Sequence, residues 1–547
     1  MGGKMLVLVL LVVAALALAV HAHPLRKDAS SSDDWECDPL VPGVCAFPFP
    51  NNFFRDSATG KLNITTRAIP MTHLNQSIDP QIGGWTDLDG FSPIPMIMAQ
   101  FPDLDMSSLP RWWNVERSMS SDSPTVLINA DNGQRIPHWC ELDHSSDQQR
   151  PQGYDRALIL WPAERLNNSA TYVVGFRNLN TTRGDRIAAS PAFASLRDGS
   201  SSLIPSVNTR RQRYNSAIFP ALAQQGFRRS SLVLAWEFTV MSTHTITNRL
   251  VTIRDDAFKR TQDGISFSIE HVEEKPRAGV ARQLRGVMKV PWYLNQEAPG
   301  MSVRMAVKDG DPNTPVYNGE GAVQFLVIVP ESLANNGTRG AIMQYGHGLF
   351  GSMSELETGY LDDEANRYGY VLAATNWLGM CYEDEVPVAS IIAEDLSNFP
   401  AVPDRSHQGY LHHITRDPLP NTPAHTVIGH YGLGDAQVTW LGMLTIGRSV
   451  GAHMYKSNVR EANETLYGFD FISDDTTLST PGQNLVQGWD FGAPPVPPVN
   501  IPAAKSTDAH EKPRRTMTAQ EQTHRFLTQG VIYNACNGPC HGDGGGL

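Results

Sequence analysis

The feature that most constrains this chain is a change of grammar near Pro330. Before it, short apolar runs alternate with turn residues. Arg156 to Trp161, Thr171 to Phe176, Ser231 to Val240, Met301 to Val307 and Val323 to Val329 are rich in Val, Ile, Leu and aromatics. Between them lie turns such as Leu166-Asn167-Asn168-Ser169 and Asp309-Gly310-Asp311-Pro312-Asn313. Such side chains suit a pleated, half-buried surface, and Asn, Gly and Pro break it. A mostly β, sandwich-like region is expected over residues 35–330. After Pro330 the order becomes strand, glycine-rich turn, helix. Ala341 to Tyr345 enters Gly346-His347-Gly348-Leu349-Phe350-Gly351, Leu356 to Arg367 has helical spacing, and Tyr370 to Thr375 reads as a buried strand. Thr426 to Gly429, Val438 to Val450 and Gln520 to Thr528 continue as strand, helix and helix. Alternation of this kind builds a parallel sheet with helices on its faces, expected over 335–547. The fold class expected is therefore α/β, with a mostly β N-terminal region.

Charge narrows the partners. Lys+Arg 44 against Asp+Glu 56 gives −12 without a long run of either sign, which leaves no basic footprint for a phosphate backbone. Nucleic acid is excluded as an expected partner. With 41% hydrophobic residues over 547 positions, the chain can bury more than one core.

The first 22 residues carry Lys4, an apolar run from Met5 to Val20, and Val20-His21-Ala22, the layout of a secretory signal peptide. An extracellular protein is expected, with no membrane span once residues 1–22 are removed. In an oxidising compartment Cys37 with Cys45, and Cys536 with Cys540, are candidates for short-loop disulfides. Cys140 and Cys381 are left over, and pairing them would tie distant parts together. Six N-x-Ser/Thr sequons, at Asn63, Asn75, Asn167, Asn180, Asn336 and Asn463, fit a glycosylated secreted chain. No thiol or imidazole pair recurs at zinc-ligand spacing, so neither metal nor cofactor is expected.

Three places can carry chemistry. Gly346 to Gly351 sets backbone N–H groups, unobstructed by side chains, after a strand, where they can donate to a developing oxyanion; a tight connection needing glycine explains the same residues. Asp435, in Gly434-Asp435-Ala436-Gln437-Val438, stands where a carboxylate orients a catalytic imidazole, and equally where an aspartate caps a helix. His510 precedes the last helix, at the position of a general base in a doubly wound hydrolase or of an ordinary surface histidine.

Taken in order, several segments resemble one family. They are Cys37-Asp38-Pro39-Leu40 with Cys45-Ala46-Phe47-Pro48-Phe49-Pro50, Asp89-Gly90-Phe91-Ser92-Pro93, Leu234-Ala235-Trp236-Glu237-Phe238 and the Gly346 to Gly351 turn. Pro403-Asp404-Arg405-Ser406-His407-Gln408-Gly409, Asp417-Pro418-Leu419-Pro420-Asn421-Thr422-Pro423, Gly434 to Val438 and Cys536-Asn537-Gly538-Pro539-Cys540 follow. The chain resembles secreted, bacterial-type α/β-hydrolase-like proteins related to extracellular lipases and esterases. The resemblance implies Asp435 as acid, His510 as base, Gly348 and Leu349 as the oxyanion turn, and a small-molecule or lipid ester as substrate. It also implies a Tyr-Gly-x-Ser-Gln-Gly-Gly nucleophile elbow before Asp417. Here Gln408-Gly409 runs straight into Tyr410 to Pro418, without room for strand, elbow and helix. The parallel sheet is thus expected to be incomplete and catalysis impaired, as in a truncated product or a degenerate relative. Neighbouring strands should lack ladder partners.

Minority readings remain at this point. Gly447-Arg448-Ser449-Val450-Gly451 is the one G-x-S-x-G match. It would make Ser449 a nucleophile with His510 as base and Asp470, Asp474 or Asp475 as acid, if its surroundings were a strand. Asp309, Asp311, Asn313 and Glu320 copy part of a calcium loop but place Thr314 where glycine is needed, and a hairpin turn explains them better. Arg183-Gly184-Asp185 is an adhesion tripeptide, and a binding or adhesion module is the alternative to a hydrolase. His407, His412, His413, His425 and His430 read as loop and site-lining residues.

Overall fold

A computed structural model of the chain describes residues 36–69, 85–145, 147, 155–295, 305–336, 339–378, 381–384, 407–457, 466–479, 481–536 and 538–542. The expected signal peptide and the sequons at Asn75 and Asn463 lie outside the described residues. The chain divides into two compact units, each discontinuous. Unit 1 comprises Met1–Thr243, Asn398–Pro513 and Ile532–Leu547, and unit 2 comprises His244–Ser397 and Arg514–Val531.

Unit 1 begins with two three-stranded antiparallel sheets. One is ordered β1 (Ile97–Gln100), β4 (Ala157–Pro162), β3 (His138–Leu142); the other β2 (Thr125–Asn129), β5 (Thr171–Arg177), β6 (Leu232–Thr239). β2 and β6 are buried at every position, which fits their unbroken apolar runs. Three helices interrupt the expected β character: α1 (Pro191–Asp198), α2 (Pro205–Arg213) and α3 (Phe219–Gln224). α1 starts with Ser190 accepting from the Phe193 N–H and proline in the first turn. The polar α2 shows little apolar periodicity; its arginines do the anchoring, Arg210 to Asp38 at 2.8 and 2.9 Å and Arg213 to Glu237 at 2.7 Å twice.

Unit 2 opens with α4 (Thr243–Arg260) and holds a five-stranded mixed sheet. Its strands are β7 (Phe267–Glu274), β8 (Val280–Pro291), β11 (Glu320–Pro330), β12 (Ala341–Gln344) and β13 (Tyr370–Thr375), in the order β12-β13-β11-β8-β7. β12 and β13 are parallel and the other neighbours antiparallel. β9 (Val307–Lys308) and β10 (Asp311–Pro315) form a small hairpin. In it Asp311 accepts from the Asn313 N–H and the Thr314 hydroxyl, the turn chemistry that displaces a calcium reading. Because β8 and β11 ladder onto β13, residues 280–330 belong with the second half of the chain. The division therefore falls at 243/244 and not near Pro330. The two faces of this sheet differ. Leu326, Ile328, Leu372 and Ala374 are buried under Met353, Leu356, Leu361 and Ala365, from the 3-10 turn Met353–Glu357 and α6 (Gly359–Tyr368); α5 (Glu331–Asn336) follows β11. On the other face Phe267, Ile269, Leu284, Met288, Val323, Phe325, Val327, Val371, Ala373 and Ile342 are all half-buried or exposed.

The chain then returns to unit 1 through the short α7 (Leu411–Thr415), β14 (Ile428–Gly432), α8 (Trp440–Val450), β15 (Ala452–Tyr455), β16 (Asp470–Ile472), β17 (Leu478–Ser479) and β18 (Asn484–Trp489). β14, β18, β15 and β16 form one four-stranded parallel sheet in that order. Its core joins Tyr431, Trp440, Leu444, Val450, Met454 and Val486. Helix α9 (Met517–Gln529) belongs to unit 2, where Tyr370 Oη and His524 Nδ1 are 2.8 Å apart. Among the described residues no helix is long and apolar enough to cross a membrane.

Candidate active site

Parallel pairing decides what can meet at one edge of a sheet. β14 runs beside β18 in register from Ile428 opposite Leu485 to Gly432 opposite Trp489, so the loops leaving both strands emerge at the same carboxyl edge. Asp435 is three residues past β14, and His510 lies on the longer loop after β18. Two glycines allow the approach. A Cβ on Gly432 would stand 2.8 Å from Ala509 Cβ, and Gly434 has φ +78° with Ala493 Cβ 2.7 Å from where its own would be. The neighbour of His510, Ala509, therefore rests directly on the end of β14.

His510 Nδ1 lies 3.0 Å from Asp435 Oδ2. The side chains are 26% and 13% exposed, so the pair is shielded but reachable. Asp435 Oδ1 also accepts from the Gln437 and Val438 N–H groups, each at 2.8 Å. The carboxylate thus ties its own turn with one oxygen and faces the imidazole with the other. It does not cap α8, whose N-cap is Thr439. With the carboxylate ionised, Nδ1 is the donor and a neutral ring keeps its lone pair on Nε2. Among the described residues Nε2 makes no hydrogen bond.

Asp508 is a member of this site that sequence reasoning missed. Its Oδ1 accepts from Ala436 N at 2.9 Å and His510 N at 3.0 Å, and its Oδ2 from Gln437 Nε2 at 2.9 Å. Burial works to raise its proton affinity. The Ala436, Gln437 and His510 donors and the nearby imidazole outweigh it and hold the carboxyl below the usual range. Asp508 thereby joins the Asp435 turn to the His510 loop. The only signal for it was an aspartate two residues before a histidine, the spacing at which a carboxylate takes a backbone N–H.

Ser449 is not a nucleophile at an elbow. It sits inside α8, 2% exposed, donates to Thr445 O at 2.7 Å and accepts from Arg165 N at 3.0 Å. The segment is helical, as its apolar spacing requires, and its hydroxyl bonds back to the preceding turn. The carboxylate that meets His510 is Asp435, not Asp470, Asp474 or Asp475. Between His407 and Asp417 the chain makes a 3-10 turn and the five-residue α7, with no strand.

The glycine turn belongs to unit 2. It leaves β12 as expected, with a Cβ on Gly346 barred by the Trp377 ring at 2.6 Å, and His347 Nε2 accepts from Trp377 N at 2.9 Å. The Gly348 N–H points at Glu355 Oε1, 3.3 Å away, while Leu349 N–H meets no acceptor among the described residues. One of the two expected oxyanion donors therefore already faces a carboxylate of its own unit.

The disulfides Cys37–Cys45 and Cys536–Cys540 are formed. Cys140 and Cys381 form no disulfide: both are buried, in different units, and burial pushes the Cys140 thiol far up. Asn63, Asn167 and Asn180 are exposed, as glycan attachment requires, and Arg183 to Asp185 form an exposed turn with Gly184 at φ +88°. No family model matches the chain, and no curated protein matches it.

Proposed function

We propose that this is a secreted α/β-hydrolase-like protein of the carboxylic-ester or lipase type, catalytically impaired because it keeps the acid–base pair but lacks the serine. The observation that carries the reading is the 3.0 Å contact of Asp435 with His510, delivered from the carboxyl ends of adjacent parallel strands with Nε2 left open. Such a pair is a general base: Nε2 takes a proton from an attacking oxygen, and Asp435 holds the ring and stabilises the imidazolium. Further support comes from the strand, glycine turn and helix order of β12, Gly346 to Gly351 and α6, the context in which acyl-transfer enzymes place an oxyanion donor. Two disulfides and exposed sequons agree with secretion.

A second reading, a non-catalytic binding or adhesion module, draws on the exposed Arg183-Gly184-Asp185 turn and on a His510 Nε2 that makes no hydrogen bond among the described residues. Two assays separate the readings. A fluorophosphonate probe should leave the chain unlabelled. An activated p-nitrophenyl ester should be hydrolysed slowly, falling to the buffer rate in His510→Ala. Covalent labelling would mean that a working serine exists; ester turnover indifferent to His510→Ala would remove the hydrolase reading in favour of the binding module.

A further inference from the structure

Two histidines of α7 stand apart from the proposed hydrolytic site. The His412 imidazole makes no hydrogen bond among the described residues, although only 21% of the side chain is exposed. Its Nδ1 is buried without a partner, and its Nε2 faces Asp417 Oδ2 across 3.7 Å, beyond hydrogen-bond reach. His413 is 5% exposed. Its Nδ1 lies 3.4 Å from the same carboxylate oxygen and 2.6 Å from the Asp417 carbonyl, while Nε2 has no partner. One ligand atom from each of the three side chains falls within 4.8 Å of the others. A largely buried imidazole with neither nitrogen satisfied is costly, and a missing ion is one of the few things that explains it.

We propose that His412 Nε2, His413 Nδ1 and Asp417 Oδ2 form a binding site for a divalent transition-metal ion of the zinc type. Two imidazoles and one carboxylate select such an ion over calcium or magnesium, which take oxygen ligands. Bonds of about 2.0–2.1 Å in a tetrahedron put neighbouring ligands about 3.3 Å apart, so the 3.4 and 3.7 Å distances to Asp417 need a slight closure, and the two imidazoles, whose ligand atoms lie within 4.8 Å, must turn toward each other. His413 would move its proton from Nδ1 to Nε2 and release the Asp417 carbonyl. The nearby Arg165 and Arg416 guanidinium groups oppose an incoming cation, and three ligands leave an open position, so micromolar affinity is expected. The gain is structural: a five-residue helix cannot sustain itself, and the ion would pin it to Asp417, two residues past its end.

The test titrates the metal-free protein with zinc by calorimetry and follows thermal unfolding with and without the ion. Wild type should take up one equivalent and melt higher with zinc. Asp417→Asn and His412→Gln should bind about tenfold more weakly or worse, while melting unchanged without metal. Asp417 is 70% exposed, so its substitution leaves the fold intact. Absence of uptake in wild type, or unchanged affinity in either variant, would overturn the site, leaving water or a different group of the seventeen histidines as the explanation.

Discussion

The parallel sheet of unit 1 and the mixed sheet of unit 2 bury their central strands differently. β18 is buried along its whole length, flanked by β14 and β15 and packed under α8. β11 lies just as centrally in its sheet, yet its residues alternate: Leu326 and Ile328 are fully buried, while Val323, Phe325 and Val327 are not. At the edge, β12 has one neighbour and Ile342 is 76% exposed. A parallel pair needs a crossover, and each crossover covers one face only. Between β12 and β13 that crossover is α6, and no described helix covers the opposite face in its place. The two sheets thus differ less in how their strands pair than in whether both faces of the central strand are closed.

The largest effect should separate the two faces of β11. Leu326→Ala removes a side chain from the closed core and should cost about 2–5 kcal/mol in denaturant unfolding, whereas Val327→Ala, one residue on, should cost under about 1 kcal/mol. Equal losses would mean that the second face is covered after all. Next in size is a difference in pH response. In unit 2 Glu364 is pushed up to about 7, burial outweighing Arg367. The folded form therefore holds its proton more tightly than the unfolded one. The stability it lends is fully present below about pH 4.5 and is lost as pH rises through 7, roughly 3 kcal/mol in all. In unit 1 burial holds His138 down at about 4. Its contribution is present above pH 6.5 and is lost as pH falls. The buried Glu141 and Glu164 oppose it with smaller upward displacements. Hydrogen exchange at pH 5 and pH 7.5, corrected for intrinsic rates, should show unit 2 firmer at the lower value and unit 1 at the higher, and Glu364→Gln should flatten the first trend.

What could be read in advance follows from how local each signal is. Asp435 follows a strand and His510 precedes the last helix by short-range rules; their meeting also needs β18, a strand that sequence reasoning missed, to lie parallel beside β14. The unit boundary was hidden because β8 and β11 look like any turn-punctuated strands; that they ladder onto β13 is a long-range fact. α2 was hidden because arginines contacting Asp38, Glu237 and carbonyl groups hold it, and no apolar stripe does. Asp508 binds mainly backbone N–H groups from two loops, and His412 and His413 are adjacent in sequence, so neither repeats at a spacing that pattern reading detects.

Within the better covered sheet, the carboxyl edge can be probed from the stronger contact to the weaker. Gly432→Ala places a methyl 2.8 Å from Ala509 Cβ, and the His510 loop must shift; a cost of about 1–3 kcal/mol is expected, with loss of any His510-dependent ester hydrolysis. Asp508→Asn is milder. The amide oxygen can still accept from Ala436 and His510, so both loops keep their tether, but the charge that strengthens those bonds disappears and the amide N–H₂ now faces the Gln437 donor. About 1 kcal/mol should be lost near neutral pH. Because the Asp508 carboxyl titrates below its usual range when folded, the stability it adds is present above that range and disappears as pH falls through the folded value. Wild type and Asp508→Asn should therefore converge in acid. A gap that persists at low pH would assign the effect to packing, and the carboxylate would no longer be what joins the two loops.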